Sequence, residues 1–171
     1  MAIGQFGSAL EEVLQRTGET RGSVGSITHV DPSLVGKVIK GTRRPSKEMM
    51  QTASEHYDDG QLFIAAAAEV TKGAFVPWLD AADLHKSTTT LKTLEEMDEA
   101  EAALQEAPIT KRLDQLTSKE RQQIKISIME QIEAVTALLH NITMLCREYG
   151  FSFSAMFLEH RSEMKAKKYM K

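Results

Sequence analysis

A run of basic side chains near the amino terminus is the feature of this sequence best suited to bind a charged ligand. Within eleven residues it holds five cations and no carboxylate: Lys37, Lys40, Arg43, Arg44 and Lys47. Clustered lysine and arginine side chains can bind phosphate groups through charge-assisted hydrogen bonds. On charge alone, an ordinary solvated surface is the alternative interpretation. Whether these residues form a phosphate-binding site or an ordinary solvated surface therefore depends on the helices and loops that carry them.

The charge of the whole chain is compatible with a phosphate ligand. The net charge is -3 over 171 residues, but residues 61–120 hold 6 basic and 11 acidic side chains, against 7 and 8 in residues 1–60. Contact with phosphates depends on the local surface more than on total charge. The acidity of the middle segment therefore leaves a basic surface available in the first third.

Short helices separated by capping and breaking residues are predicted to position the basic run. Apolar spacing predicts helices over residues 6–16 and 20–29, and over 45–57 and 61–71. Asp31 followed by Pro32 predicts the start of another helix, which Gly41 ends. Residues 20–41 would then be two short helices in close contact at Gly25. The residues predicted to face the core are Val24, Ile27, Val30, Val35 and Val38.

Residues 20–46 resemble the helix-turn-helix of the Cro/CI-type phage repressors, often called the XRE family. The most specific part of the likeness is the end, Lys-Gly-Thr-Arg-Arg-Pro-Ser at residues 40–46, and the likeness covers residues 6–57. His29 departs from the family, which usually has glycine in the turn. The resemblance implies a dimeric DNA-binding transcriptional repressor whose second helix enters the major groove of a palindromic operator. A phage or mobile-element origin is expected from the family alone.

The resemblance also implies which side chains contact DNA. Those at positions that read base edges are Pro32, Ser33, Leu34 and Lys37, and those at phosphate or supporting positions are Arg21, Lys40, Thr42, Arg43 and Arg44. Neither Pro32 nor Leu34 offers a hydrogen bond to a base. We therefore expect recognition to use thymine methyl groups, Ser33, Lys37 and the shape of the DNA.

The second half of the chain predicts a dimerisation surface. A capping box at Thr117 and Glu120 predicts a long helix to about Tyr149. Its apolar residues recur in steps of four and three, the rhythm of a coiled coil. The stripe expected to pair two copies is Ile128, Ile132, Val135, Leu139, Ile142 and Tyr149. Alternatively, the stripe packs within its own chain against a final helix over residues 154–167.

Together these elements predict an all-α protein with three regions. Residues 1–71 form a five-helix DNA-binding domain, and residues 72–107 an acidic connecting region with one helix that begins at Thr93. Residues 108–171 form a helical domain for oligomerisation or partner binding. A short extended piece is expected over residues 87–90, which are rich in β-branched side chains.

Other functions are less well supported by the sequence. It has no nucleophile–base set, phosphate-binding loop or metal-ligand spacing, so we expect no enzyme activity, cofactor or metal. No secretory signal or membrane-spanning run is present, and we expect a cytoplasmic location. Without an Ala-Gly dipeptide, release by self-cleavage is not expected, so an antirepressor or ligand would release the DNA. The competing hypothesis is an antitoxin-like or phage-encoded inhibitor that binds a protein through its C-terminal half.

Overall fold

The computed structural model describes residues 5–171, and it confirms the predicted all-α class. In this range eight α-helices and one short 3₁₀ turn, Leu113–Gln115, account for the regular structure, without a strand. The helices are α1 (Phe6–Thr17), α2 (Arg21–Thr28), α3 (Pro32–Ile39), α4 (Lys47–Tyr57), α5 (Gly60–Val70), α6 (Lys86–Glu106), α7 (Ser118–Tyr149) and α8 (Phe153–Ala166). None of them combines the length and hydropathy that crossing a membrane requires.

Packing divides the chain into two compact units. One unit holds the chain up to Asp80 together with Leu145–Lys171, and the other is Ala81–Met144. The first unit is therefore built from two separate stretches of sequence. The three consecutive regions expected from the sequence describe proposed roles, and they remain a prediction.

The first unit is built around an apolar core shared by α1 to α5. Its fully buried side chains come from successive helices, among them Leu10 in α1, Val24 in α2, Val35 in α3 and Leu62 in α5. Burying a side chain of this size contributes roughly 1.5–3 kcal/mol to folding. The amphipathic spacing of the short helices is thus satisfied inside this unit.

Two kinds of contact attach the end of the chain to α4 and α5 in the first unit. The carboxylate of Asp59 accepts hydrogen bonds from Arg16 at 2.7 Å and from two nitrogens of Arg147 at 2.9 and 2.7 Å. Next to it, Asp58 accepts a hydrogen bond from the backbone N–H of Ser154 at 2.8 Å. An aromatic stack of Phe63 on Phe153, with ring centroids 5.5 Å apart, adds an apolar contact.

In the second unit, α6 begins at Lys86, so the predicted start at Thr93 is wrong and residues 87–90 are helical. The cause is a polar cap that the apolar pattern does not reveal. The ring nitrogen of His85 accepts the N–H of Ser87 at 3.3 Å, while Asp83 accepts the N–H of His85 at 3.0 Å and the Thr88 hydroxyl at 2.8 Å. These bonds satisfy N–H groups that a helix start leaves unpaired.

The predicted capping box at the start of α7 is confirmed. Glu120 accepts the N–H of Thr117 at 3.0 Å, and the Thr117 hydroxyl accepts the N–H of Glu120 at 3.2 Å. A hydrogen bond from Lys111, followed by those from Thr117, lowers the pKa of Glu120 to about 2.

This cap predicts an acid-sensitive helix start. A carboxyl whose pKa falls from about 4.5 in the unfolded chain to about 2 in the folded one stabilises the fold above pH about 4.5. That contribution is lost as the pH falls toward 2. NMR titration should report the low pKa, and Glu120→Gln should remove this part of the pH dependence of unfolding. A Glu120 pKa near 4.5 would show that the cap does not form.

Candidate nucleic-acid interface

The two helices α2 and α3 each begin at a side-chain cap, and a left-handed residue ends α2 at the turn between them. Thr20 caps α2 by accepting the N–H of Ser23 at 3.2 Å, and Asp31 caps α3 by accepting the N–H of Ser33 at 2.8 Å. Between them, His29 takes a left-handed backbone with φ 53°. Histidine adopts this conformation less readily than glycine, but far more readily than a β-branched residue. Histidine at position 29 is therefore compatible with this turn.

Gly25 lies at the close approach that the sequence predicted. A Cβ at Gly25 would lie 2.6 Å from the carbonyl oxygen of Val30 and 3.2 Å from Cγ of Pro32. Gly22, three residues earlier in α2, is exposed, and its Cβ would meet only the Thr20 hydroxyl, at 3.4 Å. The two glycines of α2 thus have different roles, since only Gly25 is required by packing.

This difference gives a paired prediction for stability. Gly25→Ala should lower the free energy of unfolding by about 1–3 kcal/mol, because the methyl group would collide with backbone. Gly22→Ala should leave stability unchanged or raise it by up to about 1 kcal/mol, because alanine favours the helix. Urea unfolding followed by circular dichroism measures both. Equal effects of the two substitutions would contradict the close approach at Gly25.

The loop after α3 is held against the end of that helix by one carbonyl. The oxygen of Lys37 accepts the N–H of Thr42 at 2.9 Å, the Thr42 hydroxyl at 3.1 Å and the N–H of Arg43 at 3.2 Å. The Thr42 hydroxyl proton is therefore already used and is not free to donate to a phosphate. In this structure the Thr42 hydroxyl holds the loop to the end of α3, and a contact of Thr42 with a phosphate stays a prediction.

The remaining predicted contact residues lie on α3, on its loop and beside them. Arg21 at the start of α2 is close to α3, with Nη1 3.5 Å from where a Cβ of Gly36 would be. Leu34 is half-buried, and the others are exposed: Arg21, Pro32, Ser33, Lys37, Lys40, Arg43 and Arg44. Within residues 5–171, none of the five cations in this set lies within ion-pair distance of a carboxylate. Their charge is therefore available to a ligand.

The charge along α3 is polarised toward its C-terminal end. At the N-terminal end, hydrogen bonds from the side chain and backbone of Ser33 lower the pKa of Asp31, so this carboxylate stays ionised. A negative charge there occupies the position where a helix N-terminus would attract an anion. Phosphate contacts are consequently favoured beyond the other end, where Lys40 and Arg43 are exposed.

Gly7 supports α3, and the sequence analysis missed it. A Cβ at this position of α1 would collide with the carbonyl oxygen of Val38. Glycine is unfavourable within a helix, so a glycine directly after the buried Phe6 was the sequence signal that could have indicated close packing here. The close packing of α1 on the backbone of α3 fixes the helix that carries the predicted base-reading residues.

The stripe predicted to pair two copies is open to solvent over its first part. Ile128, Ile132 and Val135 are 51, 48 and 47 % exposed. Leu139 and Ile142 are half-buried, and Tyr149 is exposed. Cys146, on the same stripe, is buried, and this burial raises its pKa.

Three carboxylates in the second unit come together in a way that the sequence analysis did not predict. Oxygens of Glu96, Glu130 and Glu133 all lie within 4.8 Å of one another. Desolvation and the neighbouring carboxylates, Glu133 first among them, raise the pKa of Glu130. Lys92 pairs with Glu96 at 2.8 Å and offsets part of the negative charge. This cluster marks one acidic side of the second unit.

Known proteins do not assign a role to any of these surfaces. No protein-family model, no curated protein and no solved structure matches the chain. A functional assignment must therefore come from the geometry and charge of the residues described above.

Proposed function

We propose that the protein is a sequence-specific DNA-binding transcriptional regulator. In this proposal α3 enters the major groove, which is wide enough to admit one helix. The observation that carries it is the exposed surface of α3, which continues into a loop of cations free of carboxylate partners among the described residues. Such a surface fits a polyanion whose phosphates flank a groove.

In this proposal the exposed side of α3 and the loop after it have different roles in binding. Ser33 and Lys37 project from the exposed side of the helix and would donate hydrogen bonds to base edges. Lys40, Arg43 and Arg44 follow at its C-terminal end and would bind phosphates, which set register more than sequence. The family resemblance in residues 20–46 supports the further proposal of a phage-derived dimeric repressor on a palindromic operator, released by another protein or a ligand.

The direct test is binding to the DNA upstream of the protein's own gene. A labelled fragment of that DNA should be retarded in a gel at physiological salt, and the complex should survive an excess of unrelated DNA. Affinity should fall steeply with salt concentration, because phosphate contacts release counterions. Equal affinity for the upstream fragment and for scrambled DNA of the same length would contradict sequence-specific regulation.

A further inference from the structure

We infer that the hairpin of α6 and α7 binds a second copy of this chain through one apolar face, so that two hairpins form a four-helix interface. The inference deepens the proposed function and rests on it, since that function calls for two recognition helices acting together. It extends the predicted stripe on α7 to a surface that includes α6. Its test uses no DNA, so its failure and the failure of the proposed function can be told apart.

The two helices run antiparallel within the second unit. Near one end, the hydroxyls of Thr89 and Thr90 donate to the side-chain carbonyl of Asn141 at 3.2 and 3.0 Å. Further along, Glu96 meets Glu130 and Glu133. The later residue of α6 therefore meets the earlier residues of α7, which defines both the direction and the register of the pair.

The inside of this hairpin is lined by small and polar side chains. The buried residues that helical geometry places between the two helices are Thr89, Thr93, Glu96, Ala100, Ser127 and Ala134. Nearer the end of α7, His140, Thr143 and Met144 are buried on other sides of that helix. Two of the polar atoms between the helices, the Thr93 hydroxyl and one oxygen of Glu96, are buried without a hydrogen-bond partner. Small and polar groups contribute little hydrophobic stabilisation, and unpaired ones oppose it. The contact between α6 and α7 therefore lacks a substantial apolar core.

Large apolar side chains lie instead on the outside of both helices. On α6, Leu91, Leu94, Met97 and Leu104 are 42 to 68 % exposed, and on α7, Ile128, Ile132 and Val135 are about half exposed. These residues of α6 were not predicted from the sequence, because the acidic side chains between them dominate the composition of that helix.

Helix geometry places the two apolar sets on one side of the hairpin. Successive residues of an α-helix are rotated by about 100° around its axis. On each helix, the centre of the apolar set lies roughly 100° around the axis from the centre of the buried residues. The rotation has the same sense on both helices when each is viewed from its N-terminus. Because the helices are antiparallel, equal rotations in the same sense bring both sets to the same side. By the same geometry Glu99, Glu130 and Glu133 fall on the opposite side, whereas the apolar side also carries one carboxylate, Glu101 of α6, and one cation, Arg121 of α7.

Charge and area both favour a second copy on the apolar side. Two copies that met through their acidic sides would place like-charged carboxylates together, which costs several kcal/mol. The seven apolar side chains expose roughly 600 Å² per chain, so a pair that covered all of them would bury at most about 1,200 Å², the lower limit for a specific interface. A two-fold axis makes one surface serve as both partners. A second copy is thus sufficient to cover this face.

The oligomeric state of the full chain tests the inference. Analytical ultracentrifugation should show a dimer, and Ile132→Glu should raise the dimer dissociation constant at least 100-fold. Ile126→Glu is the matched control, because Ile126 is 46 % exposed on α7 but faces the other side of the hairpin. This control should remain dimeric, and circular dichroism should show both variants as helical as the parent chain.

A second measurement requires no substitution. Amide hydrogen exchange in α6 and in residues 128–135 should slow as the protein concentration rises through the dimer dissociation constant. A chain that stays monomeric, or a dimer that Ile132→Glu leaves intact, would overturn the inference. A monomer would leave the antitoxin-like hypothesis, in which this face binds a different protein, as the alternative to test. Dimers that bind no DNA would contradict only the proposed function.

Discussion

Replacing Lys37 and Arg43 together by alanine should weaken binding to the operator by about 100-fold or more. Each is worth about 1–3 kcal/mol if Lys37 contacts a base edge and Arg43 a phosphate. Neither side chain contributes to the core or to an ion pair among the described residues, so the fold should be unaffected. Fluorescence anisotropy on the operator fragment at fixed salt measures the loss.

The control for this variant removes the same charge elsewhere in the first unit. Arg161→Ala with Lys165→Ala takes two exposed cations from α8, and it should change affinity only slightly. Of the single substitutions, Lys37→Ala should reduce the preference for the operator over unrelated DNA. Arg43→Ala should instead reduce the slope of affinity against salt concentration by the amount that about one phosphate contact contributes. Should the Lys37/Arg43 pair bind no worse than the α8 pair, the binding surface would lie elsewhere.

Asp59→Ala should be among the most destabilising single changes in the first unit, with a loss of about 3–5 kcal/mol. This carboxylate is 10 % exposed and pairs with Arg147 through two hydrogen bonds. It also caps α5 by accepting the N–H of Gln61 at 3.0 Å. Its removal leaves the guanidinium of Arg147 without its carboxylate. Urea unfolding followed by circular dichroism gives the change in the free energy of unfolding.

Two further variants separate the roles of Asp59. Asp59→Asn keeps an oxygen that can cap α5 and loses the charge, so the difference between Asn and Ala reports the cap, worth about 1 kcal/mol. Arg16→Ala removes a partner that is 39 % exposed and should cost less than about 1 kcal/mol. A loss of under 1 kcal/mol for Asp59→Ala would show that the buried pair with Arg147 is unimportant for stability.

The first five helices were predictable because their signals are local. Thr20, Asp31 and Ser46 each cap the helix that follows, and the apolar residues between them recur at helical spacing. The close approach at Gly25 was predictable for the same reason, since a short turn between two helices leaves room only for a small residue. The candidate site lies almost entirely within this stretch, so most of its residues could be named from the sequence.

Contacts between distant residues could not be predicted. The pairing of Asp59 with Arg147 spans 88 positions, and a single arginine gives no sign of its partner. The start of α6 was misplaced because a histidine cap is an uncommon signal, whereas Thr93 and Glu96 imitate a capping box. Both of those residues are instead buried inside the second unit. The exposed leucines of the acidic helix α6 were not predicted for a related reason, since composition does not show which side of a helix each residue faces.

The Asp59–Arg147 pair has a consequence for synthesis on the ribosome. A chain that grows from its amino terminus completes α5 long before Arg147 and Phe153 have been made. Closing a loop of this length has an entropic cost, and the first unit cannot gain its ionic contact with Arg147 or its aromatic contact with Phe153 until residues 147–153 have been synthesised. A translation product interrupted before residue 147 would carry all of α1 to α5 and still lack these contacts. Full stability of the unit that bears α3 thus requires synthesis of a segment that lies far from α3 in the sequence.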